Sequence, residues 1–84
     1  MLKEFELLQF NWRGKSILAM ESSSSAMLNM WALLNTTGKK MTIIRDKVTE
    51  EIICVVQGMG KDEYPKVIDK KDDIEALELT IGGM

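Results

Sequence analysis

Histidine is absent from this 84-residue chain, and cysteine and proline occur once each. Without histidine, the serine–histidine and cysteine–histidine nucleophile systems and histidine-ligated metals are excluded. The single cysteine, Cys54, excludes an intrachain disulfide and a cysteine zinc cluster. Its place in the apolar run 52–56 indicates a buried, unreactive thiol. The sequence therefore argues against an enzyme and gives no reason to expect a metal or a cofactor.

Long apolar runs, an excess of basic residues and a leader-like start are also missing. No apolar run approaches the ~20 residues that a membrane-spanning helix needs, and residues 1–6 lack the basic-then-apolar order of a signal peptide. The net charge of −2 and the sequence pI of about 5.1 disfavour nucleic acid as a partner, because nucleic-acid binders are usually basic. We expect a soluble, cytoplasmic protein without membrane contacts.

Hydrophobic residues make up 45% of the chain and charged residues 29%, which is typical of a globular protein. With 84 residues there is room for one hydrophobic core, so residues 1–84 are expected to form a single domain. Paired carboxylates occur at Glu50-Glu51, Asp62-Glu63 and Asp72-Asp73. Each pair is adjacent in a polar stretch, which favours solvated surface charge over acid–base chemistry.

The N-terminal part of the chain has the pattern of a β-hairpin. Residues 4–12 and 16–20 read as strands around Arg13-Gly14, because glycine accepts the positive φ of a tight turn. A two-residue loop predicts three cross-strand pairs on one face: Trp12 with Lys15, Phe10 with Ile17, and Leu8 with Ala19.

Four serines, Ser22 to Ser25, precede an apolar block and predict the start of a helix, since hydroxyl side chains cap unpaired first-turn amides. The helix is expected from Ser25 to Thr36, with Gly38 terminating it. The block is apolar on nearly every side, so we expect deep burial with little more than Asn29 and Asn35 left for solvent.

Residues 41–45 and 51–57 predict two further strands, and the apolar run in the second is typical of a central strand covered on both faces. The C-terminal segment fits two structures. Residues 77–81 alternate as a strand does, yet residues 72–75 resemble a helix N-terminus. We favour the strand, because Thr80 and Ile81 are β-formers.

These elements predict an α+β fold. A small antiparallel sheet of about five strands, in the order β-β-α-β-β-β, packs as a single layer on one buried helix.

Three surfaces are candidates for function. The hairpin tip carries Trp12, Arg13 and Lys15, and tryptophan and arginine are enriched where proteins bind partners. The competing interpretation of Trp12 is that it folds over the end of the core. The serine run, Ser22, Ser23, Ser24 and Ser25, would place an anion at a helix N-terminus, although capping alone explains it.

The third surface is a self-association face of Met27, Met30 and Trp31, which requires that one flank of the helix be uncovered. A small domain has difficulty covering an almost wholly apolar helix, so a homodimer is expected. The hairpin tip and the serine run should lie at opposite ends of one strand, which disfavours a single ligand touching both.

The leading functional hypothesis is a non-enzymatic binding or inhibitor protein that acts on a protein partner through one of these surfaces. Its size and composition are those of small accessory proteins, such as the ones bacteriophages and mobile elements use against host components. The alternative is a small-molecule binder that sequesters a nucleotide or another phosphate-bearing ligand at Ser22 to Ser25.

Overall fold

An antiparallel sheet is the centre of the fold. The computed structural model describes residues 4–11 and 14–82, which form five strands and two helices in the order β-β-α-β-β-β-α. Neighbouring strands are antiparallel throughout, in the order β2-β1-β3-β4-β5. The expected α+β class with a five-stranded antiparallel sheet is confirmed. The bounds are β1 (Phe5–Phe10), β2 (Ser16–Ser22), α1 (Ser25–Asn35), β3 (Met41–Asp46), β4 (Ile52–Gln57), β5 (Lys66–Ile68) and α2 (Lys71–Gly82).

The turn between β1 and β2 depends on Gly14, which has a φ of +80° that side-chain-bearing residues rarely adopt. The backbone N–H of Asn11 donates to the carbonyl oxygen of Lys15 at 3.0 Å, and the N–H of Gly14 donates to the carbonyl oxygen of Asn11 at 2.9 Å. These two bonds close the expected hairpin, but three residues separate Asn11 from Lys15, so the expected two-residue loop is wrong. Trp12 and Arg13 lie outside the described residues.

The register of the hairpin differs from the expectation near the turn. Leu8 pairs with Ala19 as expected, but Phe10 pairs with Ser16 rather than with Ile17. The cause is a bulge that places one extra residue in β2. A bulge of this kind has no signature in the apolar alternation of the sequence.

The hydrophobic core lies between α1 and one face of the sheet. Leu7 in β1, Ile44 in β3 and Cys54 in β4 stand side by side across the register. Leu28 and Ala32 of α1 pack on them. Because the side chain of alanine is a single methyl group, the helix backbone approaches the strands closely at Ala32.

The second face of the sheet is covered by α2 next to β4. Cys54, Val55 and Val56 are all buried, and since successive strand side chains point to opposite faces, Val55 faces away from α1. The helix α2 packs against β4 and buries Ile74. The expectation that this strand is covered on both faces is confirmed.

The favoured strand at residues 77–81 is wrong, because Lys71–Gly82 is a helix. Asp72 and Asp73 lie in its first turn, where carboxylates stabilise the positive end of the helix dipole. Ile74 and Leu77 then share one side of the helix. The fifth strand is instead the three-residue β5, which lies within the polar residues 61–73. It pairs with the end of β4.

The expected deep burial of α1 is also wrong, although its bounds are within one residue of the prediction. A sheet covers only one side of a helix, and α2 packs against β4 on the other side of the sheet. Four large apolar side chains of α1 are therefore exposed, with exposed fractions of 69% at Met27, 66% at Met30, 47% at Leu33 and 73% at Leu34.

Candidate partner-binding surface

The serine run starts α1 by capping it. Ser24 is the N-cap residue, with extended φ and ψ of −119° and 111°, and its Oγ accepts a hydrogen bond from the Met27 N–H at 3.3 Å. The Oγ of Ser22 accepts from the Ser24 N–H at 3.1 Å. Two of the four hydroxyl groups thus satisfy backbone donors, as the capping interpretation requires.

Buried polar contacts hold the C-terminal end of α1 on the sheet. The Gln9 Nε2 donates to the Asn35 carbonyl oxygen at 3.1 Å and to the Thr42 Oγ1 at 3.2 Å. The Thr42 Oγ1 and the Thr36 Oγ1 are 2.6 Å apart. Because a buried polar group is costly without its partner, these bonds resist rotation of the helix about its axis.

The inner side of α1 is defined by that orientation. Leu28 and Ala32 are buried, and Trp31 is partly buried against the same core. Asn29, expected to face solvent, is half-buried, and its buried Oδ1 has no hydrogen-bond partner among the residues that the structure describes.

The opposite side of α1 is an exposed apolar surface. Five of its residues are apolar and exposed, and residues 25–35 include no charged side chain. An exposed patch of this kind on a rigid element is typical of an interaction site. We name it the α1 outer face, and its residues are Ala26, Met27, Met30, Leu33 and Leu34.

A shallow cavity of about 230 Å³ borders the α1 outer face at Leu33. Its other walls include Ile53 of β4 and Val67 of β5, and Val67 is itself exposed. Cys54 also lines the cavity, and burial raises the pKa of its thiol, with the Asp69 carboxylate adding to the effect. The thiol therefore stays protonated at neutral pH and adds an apolar wall rather than a nucleophile.

Two of the three residues of the predicted self-association face lie on the α1 outer face. Met27 and Met30 belong to the α1 outer face, but Trp31 packs against the core instead. Sequence reasoning missed Leu33 and Leu34 because it expected α1 to be buried on nearly every side, with little more than Asn29 and Asn35 left for solvent. No local signal separates the two sides of α1, since alanine occurs both on the buried side, at Ala32, and on the exposed side, at Ala26.

Of the three residues predicted at the hairpin tip, the structure describes Lys15. This residue is exposed, and its backbone N–H donates a hydrogen bond to the Asn11 Oδ1 at 3.0 Å. Trp12 and Arg13 are outside the described residues, so their role in partner binding stays a prediction. Lys15 precedes β2 and Ser22 ends it, so the tip and the serine run lie at opposite ends of one strand, as expected. The anion site at Ser22 to Ser25 also stays a prediction.

The paired carboxylates are solvated, since each of the six side chains is exposed. Among the described residues, no group of three or more cysteine, aspartate and glutamate side chains is arranged to hold a metal ion. Neither described helix is long and apolar enough to cross a membrane.

Comparisons with protein-family models, with curated proteins and with solved structures found no match to this chain.

Proposed function

We propose that this protein is a non-enzymatic binding protein that acts by packing its α1 outer face against another protein surface. The single observation that supports this most is the exposure of four large apolar side chains on a helix without charge: Met27, Met30, Leu33 and Leu34. An inhibitor role of the small accessory type is consistent with the size of the chain and rests on analogy alone.

The energetics favour a covered face. Fully burying a leucine or methionine side chain contributes roughly 1.5–3 kcal/mol, so an uncovered face forgoes several such contributions. An 84-residue chain has a small core and little stability in reserve. Methionine adapts to the shape of a partner because its side chain is unbranched and flexible.

Site-specific photo-cross-linking tests the proposal. A benzophenone amino acid replaces Met30 in one variant and Val48 in another, and each is irradiated in an extract of the source cells. Val48 is the matched control, because it is apolar, 82% exposed and located in the turn between β3 and β4. We expect a discrete adduct from position 30 and none from position 48. Equal labelling from both positions, or none from either, would contradict the proposal.

The alternative function is sequestration of a phosphate-bearing small molecule at Ser22 to Ser25. The observation in its favour is that the first turn of α1 carries no acidic residue, unlike the first turn of α2. A ligand bound there raises the melting temperature by mass action. No shift across a panel of nucleotides and inorganic phosphate would count against this alternative.

A further inference from the structure

The α1 outer face is symmetric about Met30. Its other members lie three and four residues before Met30, at Met27 and Ala26, and three and four residues after it, at Leu33 and Leu34. A two-fold axis that passes through Met30 at right angles to the helix therefore places every apolar position of one copy on an apolar position of another. An isologous interface has this requirement, since the same patch serves both subunits.

We propose that the occupant of the α1 outer face is a second copy of this chain, with the two α1 helices antiparallel and crossing at Met30. This inference rests on the proposed function, because it names the partner of the same surface. At the crossing, Met30 meets Met30 of the second copy, and Met27 meets Leu33 of the second copy.

The charge of α1 permits this arrangement. Residues 25–35 carry no ionisable side chain, so no like charges meet where the two helices cross. In the antiparallel arrangement the positive end of each helix dipole also lies toward the negative end of the other. A parallel pair would bring like ends together.

The available area is sufficient for a small dimer. The exposed fractions of Met27, Met30, Leu33 and Leu34 amount to on the order of 500 Å² in each copy, or ~1,000 Å² in total, which reaches the lower limit for a specific interface. In this arrangement Met27 of the second copy lies over Leu33, next to the cavity that Leu33 and Val67 line.

Sedimentation of the purified 84-residue chain over a concentration series tests the dimer. We expect a species of twice the 9.5 kDa chain mass. Met30→Lys places two like charges at the crossing and should weaken dimerisation by at least ~30-fold, the effect of a hot-spot residue. Val48→Lys adds the same charge away from α1 and should leave the dimer unchanged. Circular dichroism of both variants verifies that they are folded.

Thiol cross-linking tests the direction of the helices. Met27→Cys protein and Leu33→Cys protein are mixed and treated with a short bismaleimide, with Cys54 shielded by its burial. We expect the mixed product in excess over either self-linked product. An excess of self-linked product would overturn the antiparallel arrangement.

A chain that stays monomeric up to ~100 µM would overturn the inference. The photo-cross-link at position 30 then separates the two failures. An adduct with a different protein leaves the proposed function standing, and no adduct of any kind removes both.

Discussion

At the residue scale, Cys54 and Gln9 show how the core limits chemistry and orients the helix above it. Cys54 stands in the middle of the sheet beneath α1, where burial and the nearby Asp69 raise the pKa of the thiol. Gln9 is a buried polar residue that bonds to both Asn35 and Thr42. The Cys54 thiol therefore contributes to packing and is unreactive at neutral pH. The hydrogen bonds of Gln9 help to fix which side of α1 faces solvent.

Cys54 gives a prediction about pH. Because its folded-state pKa is raised above the ordinary value of 9.0, the folded protein retains the thiol proton where the unfolded chain loses it. This contribution to stability is fully present below about pH 9 and is lost as pH rises above it. We expect the free energy of unfolding to fall more steeply above pH 9 in the wild-type protein than in Cys54→Ala. Parallel curves from urea melts would contradict this.

At the element scale, α1 starts at a cap and turns its apolar outer face to solvent. The serine run contains both a capping residue and its own control, because Ser24 accepts from the Met27 N–H while Ser23 is an exposed neighbour. Replacing Ser24 or Ser23 by alanine removes the same hydroxyl group from adjacent positions.

Ser24→Ala should therefore lower the free energy of unfolding by about 1 kcal/mol, the usual effect of losing an N-cap. Ser23→Ala should change it by less than about 0.5 kcal/mol, as surface substitutions do. Chemical denaturation of both variants measures the difference. Equal losses would show that Ser24 does not act as the cap.

Most elements were predictable from sequence because their signals are local. Glycine at the hairpin turn, the serine run before α1 and the apolar run of β4 each determine a neighbouring structure. The segment 77–81 was ambiguous because alternate apolar residues there also fit a helix, and the acidic first turn of α2 decided the outcome. The strand β5 has only three residues, which are too few for an alternation of apolar and polar side chains to predict it.

The candidate site was predictable only in part, since it depends on which side of α1 meets the sheet. Met27 and Met30 were named from sequence, but Trp31 looked equally suited to the exposed face. Its inward position follows from tertiary contacts with the core and from the Gln9 and Thr42 hydrogen bonds at the end of the helix. No local pattern carries that information.

At the scale of the whole molecule, the sheet separates two helices with different surroundings. One side of α2 packs against β4, and its exposed residues between positions 72 and 78 include four acidic side chains that interact well with water. The helix α1 has no such polar side, and its outer face is apolar over its whole length. This uncharged, exposed helix face is the feature that a binding function explains best.

The most direct test of that claim is solvent accessibility of methionine methyl groups, measured by NMR with a soluble paramagnetic agent. Met27 and Met30 lie on the α1 outer face, and Met59, 47% exposed, lies elsewhere in the chain and serves as the internal control. We expect Met27 and Met30 to become protected as the protein is concentrated, while Met59 stays accessible. If all three methyl groups remain equally accessible at every concentration and after addition of source-cell extract, the α1 outer face is not a binding surface.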